Sequence, residues 1–270
     1  MMKAASRVAA TLAAVVLCSS AWAQVPARPY EPRVGQAGKD VVWVPMPDDQ
    51  LARLLDMAKV ARGDYVVDLG SGDGRTVIAA AKRGARALGV EFNPDLVEFS
   101  RREAHKAGVA DKAAFEQGDL FKADLSKATV ISLFLLQEIN LKLRPALLRL
   151  KPGTRIVTNT FHMGDWKADA AEHFPPGCQT WCNLYLWIVP AQVEGTWKAP
   201  QGGLTLRQHF QEISGTLGTG PAAVAVAGRL EGERIRFSAG GSQYSGQVHD
   251  KAIEGTVSTG SGIRPWRAVR

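Results

Sequence analysis

The sequence predicts an α/β fold: a doubly wound, mostly parallel sheet followed by a small antiparallel β module. Three observations predict it. Short apolar runs alternate with helix-length amphipathic segments from about residue 65 to 161, the rhythm of right-handed βαβ crossovers. A glycine-rich stretch, VVDLGSGDGR (66–75), joins the first apolar run to the first crossover helix. Beyond about residue 190 helical periodicity stops, and Gly-rich, short alternating runs take over, as in an antiparallel meander or small barrel.

Each element follows in order. Residues 24–40 carry three prolines and no hydrophobic period, which predicts an extended lead-in. Pro45 and Pro47 punctuate the entry to a helix that Asp48 or Asp49 can cap, with Leu51, Leu54, Leu55 and Ala58 at helical spacing. Strands are expected at 65–70, 85–91, 112–119, 129–136 and 154–161, and helices at 74–84, 94–108 and 140–150. Pro152-Gly153 stops the last helix. Largely apolar strands such as TVISLFLL (129–136) suit a sheet covered on both faces. CNLYLWIVP (182–190) is a further strand. In residues 191–270 the pattern Gly-Thr-apolar recurs at Gly195, Gly215 and Gly255, spacings of one and two hairpins. Six or so strands are expected there, as a module separate from the domain at 41–190.

Composition narrows the classes. With 46% hydrophobic and 22% charged residues the chain is neither disordered nor collagen-like. Its 270 residues suit one large domain with an appendage, or two unequal domains. Residues 1–23 place Lys3 and Arg7 before the apolar run Val8–Leu17 and end in Ala21-Trp22-Ala23. That order predicts a secretory signal peptide cleaved before Gln24, and hence a periplasmic or secreted protein. A run of ten residues falls short of the roughly 20 that a spanning helix needs. Removing Lys3 and Arg7 leaves 31 basic against 26 acidic side chains, too small a bias to imply a nucleic-acid partner. Two cysteines then remain, Cys178 and Cys182, which form either a small-loop disulfide or two reduced thiols. The histidines at 105, 162, 173, 209 and 249 show no metal-ligand spacing, and no metal is expected.

The chemistry concentrates at strand ends. Gly70, Gly72 and Gly74 allow a tight turn and close approach of a ligand to the backbone. Their spacing is not that of a dinucleotide fingerprint. Asp68 and Asp73 stand where a phosphate site would present amides, so a cationic ligand such as an amino-acid ammonium fits better. Glu91 ends the second strand, placed to accept from a ribose diol. Asp119, in Gly118-Asp119-Leu120, ends the third, where an acid can accept from an exocyclic adenine amine. S-adenosyl-L-methionine joins an amino acid, a ribose and an adenine without phosphate, and is the cofactor these residues predict.

Residues 66–75 with Glu91 and Asp119 resemble the cofactor site of class I, seven-stranded (Rossmann-like) S-adenosylmethionine-dependent methyltransferases. WVPMP, DLGSGDGR, GVEFNPDLVEFSRREAHKAGV, GDLFKADLS and the Phe161…Trp166 segment are most similar to the mitochondrial protein-lysine methyltransferases of ATP synthase c subunit and adenine nucleotide translocase, and to their bacterial relatives. The resemblance covers about Val42 to Trp166. It implies a seven-stranded sheet, with Asp68, Gly70, Gly72, Glu91 and Asp119 binding cofactor. Ser71, Asp73, Gly74, Asn93 and Leu120 complete the candidate set. Asn93-Pro94 shapes the turn after Glu91, and Trp43-Val44-Pro45 folds over the site.

The acceptor side departs from the pattern. Strand four ends in Phe134-Leu135-Leu136-Gln137-Glu138, where these enzymes carry a proline, and no Asp/Asn-Pro-Pro-Tyr signature is present. Gln137 and Glu138 are the candidate catalytic residues, with Asn140 nearby and His162, Asp165 and Trp166 on the rim after strand five. The function expected is methyl transfer to a protein amine, lysine, by an exported enzyme. The alternative is an exported S-adenosylmethionine-binding protein of the same fold without transfer activity. A small-molecule acceptor also fits the cofactor site.

Overall fold

The computed structural model describes residues 30–174, 178 and 180–270. The signal segment 1–23, the cleavage point before Gln24 and the lead-in up to residue 29 lie outside them. Helix α1 (Asp48–Met57) buries Leu51, Leu54 and Leu55. Pro47 precedes it, and Asp48 and Asp49 sit in the first turn rather than as a side-chain cap, where their charge favours the helix N-terminus.

The crossover units then follow: β1 (Tyr65–Leu69), α2 (Arg75–Lys82), β2 (Arg86–Glu91), α3 (Pro94–Lys106), β3 (Ala113–Gln117) and β4 (Val130–Leu133). After these come α4 (Gln137–Leu147), β5 (Arg155–Asn159), β6 (Ala170–His173) and β7 (Asn183–Ile188). Together the seven strands form one sheet in the order β3-β2-β1-β4-β5-β7-β6. Strands β1 to β5 are mutually parallel, and β7 runs antiparallel between β5 and β6. Strand order reverses between β1 and β4, whose ends pair Leu69 with Leu133. Such a reversal opens a crevice at the carboxyl ends of the strands, where open α/β sheets bind ligands.

Two differences from the sequence reading bear on the site. Strand four ends at Leu133, three residues early, and α4 begins at Gln137. Strand β6 has no counterpart among the expected strands: AAEH has no alternation and lies at the sheet edge, largely exposed.

The C-terminal residues build eight antiparallel strands, β8 (Gly195–Ala199), β9 (Gly202–His209), β10 (Glu212–Leu217), β11 (Val224–Glu231), β12 (Arg234–Ala239), β13 (Ser242–His249), β14 (Ala252–Thr259) and β15 (Gly262–Val269). They close into a barrel in the order β10-β11-β12-β13-β14-β15-β8-β9, so eight strands replace the six or so expected. Alternate residues point inward and fill the interior, Trp197, Leu204, Leu206, Phe237, Tyr244 and Trp266 among them. Phe237 and Tyr244 are cross-strand partners on β12 and β13, and their rings stack with centroids 4.5 Å apart. Gly215, one of the repeated glycines, lies where a Cβ would come within 1.8 Å of the Thr205 carbonyl oxygen. A side chain there would push β10 off β9.

Residues 31–270 form one compact unit. Sheet and barrel meet where Phe210 stacks on buried Trp166, centroids 5.8 Å apart. The Arg144 guanidinium also lies over the Phe210 ring, 5.4 Å from its centroid. Gln211 Nε2 donates to the Lys167 carbonyl at 2.7 Å, and Arg229 pairs with Asp169 at 2.6 Å. Phe210→Ala removes the stacked contact and is expected to cost about 1–3 kcal/mol. Limited proteolysis should then cut the connector between Ile188 and Gly195 faster than in wild type, with cofactor affinity unchanged.

Candidate active site

The crevice beside the β1–β4 reversal is lined by the β1–α2 turn, the ends of β2, β3 and β4, and the segment 38–46. Of the candidate residues, Asp68, Gly70, Ser71, Gly72, Asp73, Glu91, Asp119 and Leu120 line it. Gly74 and Asn93 stand behind it. Gly74 precedes α2, and its Cβ position is filled by Ser100 and Phe115. Asn93 caps α3, accepting from the Asp95 N–H at 2.9 Å.

The turn is held by β2. Gly70 and Ser71 N–H groups both donate to the Val90 carbonyl, at 2.8 and 3.1 Å. Glu91 accepts from Gly72 N–H at 3.0 Å through Oε2 and from Asn93 N–H at 2.9 Å through Oε1. Each carboxylate oxygen keeps a lone pair for a further donor. Glu91 is therefore both a wall of the crevice and a pin for the glycine turn.

Asp68 differs from the other acids. It is buried at the end of β1 and has no basic partner among the described residues. Burial pushes its carboxyl up to about 7, and the nearby charges of Asp73 and Glu91 act in the same direction. The Ser132 and Thr76 hydroxyls only partly oppose this. Asp73, by contrast, is bound by the Arg75 guanidinium, 2.7 Å through Nη2. Arg75 also donates to the Met46 carbonyl at 2.8 Å, which ties the turn to the overlying segment. Sequence reasoning missed Arg75.

Residues 38–46 cover the crevice. Gly35 N–H bonds to the Trp43 carbonyl and Trp43 N–H to the Gln36 carbonyl, each at 2.9 Å, folding the segment back on itself. The Trp43 indole approaches the turn so closely that a Cβ on Gly72 would fall 2.4 Å from Nε1. Lys39 pairs with Asp119 Oδ2 at 2.9 Å and lies over the Phe92 ring at 5.2 Å. This ion pair, with the Phe121 N–H, holds the Asp119 carboxyl below its usual range. The lysine contact was invisible in the sequence, 80 positions away.

Past the end of β4, Phe134, Leu135 and Ile139 line the crevice. Gln137 and Glu138 lie in the first turn of α4, outside the lining residues, with Glu138 exposed. Asn140 is buried, donates to the Phe161 carbonyl at 3.1 Å and leaves Oδ1 unpartnered. His162 accepts from Gly164 N–H at 3.0 Å in its own loop. Asp165 pairs with Arg144, and Trp166 belongs to the core.

A model of the ANTKMT methyltransferase domain family matches residues 68–170. A protein-lysine N-methyltransferase of Saccharolobus islandicus is 42% identical over 152 residues, covering 55% of this chain and 94% of that one. The chain belongs to the S-adenosylmethionine-dependent protein-lysine methyltransferase family. It is also 38% identical over 128 residues to the human lysine N-methyltransferase of the ATP synthase c subunit, spanning 47% of this chain and about half (54%) of that relative. The crystal structure of an RNA methyltransferase from Salinibacter ruber with S-adenosyl-L-homocysteine is 46% identical, covers 56% of this chain and 96% of its own, and superposes with a TM-score of 0.52. The matched region ends before the barrel in the family model.

The crevice suits the family's cofactor. A buried carboxylate without a basic partner is relieved by protonation or by a cationic ligand, and the ammonium of the methionyl group would be such a ligand. With burial pushing the Asp68 carboxyl up to about 7, a cationic ligand paired with it favours the ionised form. S-adenosyl-L-homocysteine is thus expected to bind about tenfold more weakly at pH 6 than at pH 7.5, where Asp68 is mostly charged. Calorimetric titration at several pH values checks this, and Asp68→Asn should flatten the profile. Glu91→Ala is expected to weaken binding by roughly 10- to 150-fold. It also frees the Gly72 N–H, so Glu91→Gln, which keeps one acceptor, should lose less.

Proposed function

We propose that this chain transfers the methyl group of S-adenosyl-L-methionine to lysine side chains of a protein acceptor, and that it works outside the cytoplasm. The observation that carries the cofactor half is the buried, unpaired Asp68 at a turn that Glu91 fastens. Asp68 would hold the ammonium, Glu91 the ribose diol, and Leu120 with Asp119 the adenine. The cofactor supplies an electrophilic methyl on sulfur. The residues around it supply alignment, worth up to about 7–11 kcal/mol in such displacements.

A lysine acceptor carries its own requirement. With a pKa near 10.4, its amine costs roughly 4.6 kcal/mol to deprotonate at pH 7. An apolar approach lowers that cost by disfavouring the ammonium. Phe134, Leu135 and Ile139 provide such an approach just past β4, which supports a lysine acceptor over one needing a general base from Glu138. The curated relatives named as lysine methyltransferases support it as well.

Export rests on the charged, apolar and small-residue order of residues 1–23, and on the Cys178–Cys182 disulfide, which suits an oxidising compartment. In this reading residues 41–190 form the methyltransferase domain and 191–270 a β module attached to it. Fractionation with N-terminal sequencing should find a chain beginning at Gln24. An intact Met1 in the cytoplasm would contradict export.

Incubating purified protein with methyl-labelled cofactor and an extract of the source cells tests the activity. Acid hydrolysis is expected to return the label as methyl-lysine. Label confined to RNA, the substrate named for the Salinibacter ruber relative, would replace the acceptor class. Saturable cofactor binding with no labelled product would favour a binding protein without transfer activity.

A further inference from the structure

The disulfide is the strongest feature that the cofactor site does not use. Cys178 and Cys182 are joined, closing a small loop between β6 and β7 that contains Thr180 and Trp181. Trp181 has a left-handed backbone, φ 56°, a conformation that a bulky residue adopts only where its surroundings impose it. Its ring meets Phe134 edge to face, centroids 5.7 Å apart. Phe134 in turn lines the crevice at the acceptor end.

The loop is also anchored inward. Gln50 Nε2 donates to Cys178 Sγ at 3.6 Å, and Gln50 Oε1 accepts from Asn159 Nδ2 at 2.8 Å. Both amides are buried. Thr160, just past β5, holds a left-handed φ of 65° and donates through Oγ1 to Asn159 Oδ1 at 2.7 Å. A left-handed Thr160, a buried amide pair and a covalent staple are thus linked in series to the loop whose Trp181 meets Phe134. Core packing alone does not call for that concentration of strain.

We propose that Trp181, held by the Cys178–Cys182 staple, is a specificity-determining residue. With Phe134 it forms an aromatic wall against which the acceptor lysine lies as it approaches the methyl group. The inference rests on the lysine-acceptor reading above. Aromatic faces attract an alkylammonium and shelter its carbon stem, so the wall captures the lysine on approach, and disfavouring the ammonium is left to the apolar Leu135 and Ile139 of the crevice. The disulfide fixes the loop that carries the indole. Gln50 acts through that loop and is a positioning residue.

The test compares wild type, Trp181→Ala, Trp181→Phe and Cys178→Ser/Cys182→Ser. Tritiated S-adenosyl-L-methionine is the donor, graded dilutions of the cell extract are the acceptor, and S-adenosyl-L-homocysteine is the calorimetric probe of the cofactor half. Trp181→Ala is expected to raise the apparent KM for the extract acceptor roughly 10-fold, the scale of a sheltered cation–π contact. Affinity for S-adenosyl-L-homocysteine should stay within about twofold of wild type. Trp181→Phe should restore most of the loss, and the double serine variant should shift KM in the same direction as Trp181→Ala. Unchanged KM in Trp181→Ala overturns the proposal. So does a parallel loss of cofactor affinity, which would mark Trp181 as a structural support. If wild type itself yields no methyl-lysine while still binding S-adenosyl-L-homocysteine, the lysine reading has failed, and the aromatic wall falls with it.

Discussion

Burial of the Asp68 carboxylate at the end of β1, without a cation from the described residues beside it, is the constraint around which the site is arranged. A charge in that position is unfavourable by itself, and the surrounding acids, Asp73 and Glu91, make it more so. The sheet topology is what permits it. Reversal of strand order between β1 and β4 leaves a crevice at their carboxyl ends, and the glycine turn lets the backbone pass close to whatever occupies it. The other acids are already satisfied, Asp73 by Arg75, Asp119 by Lys39 and Glu91 by two backbone N–H groups. Asp68 is the one carboxylate among them without a fixed donor of its own in the turn or the covering segment, and in the proposed reading it selects the ammonium of the cofactor's methionyl end.

The remaining structure supports that crevice from two sides. The 38–46 segment covers it through Trp43 on the glycine turn and Lys39 on Asp119. The barrel, its interior filled by its own side chains, packs on Trp166 and Asp169, which belong to the segment between β5 and β6. That segment leads into β6, so the barrel buttresses this edge of the sheet.

The cofactor side was legible in the sequence because its acids recur at consecutive strand ends, a period set by the βαβ repeat. Asp68, Glu91 and Asp119 all emerge at or just past the ends of β1, β2 and β3. The acceptor side was not. TVISLFLL reads as one long strand, yet pairing stops at Leu133 and α4 starts at Gln137, which carries Gln137 and Glu138 onto a helix. Strand β6 is exposed on three of its four residues and so carries no burial pattern to read. Barrel closure depends on the long-range pairing of Val269 with Lys198, which no local periodicity encodes. The spacing of Cys178 and Cys182 left a disulfide and free thiols equally open, and only the fold brings them together. Long-range ion pairs such as Lys39–Asp119 leave no trace in local sequence at all.

The most direct measurement is the number of protons released when S-adenosyl-L-methionine binds, read by calorimetry at pH 6.5 in buffers of different ionisation enthalpy. If the ammonium pairs with ionised Asp68, a carboxyl pushed up to about 7 must give up its proton, and about 0.8 proton per site should be released. Asp68→Asn should release none by this route. Binding of normal affinity with no proton release in wild type would show that Asp68 is not the cofactor's counter-charge, and would contradict the central claim.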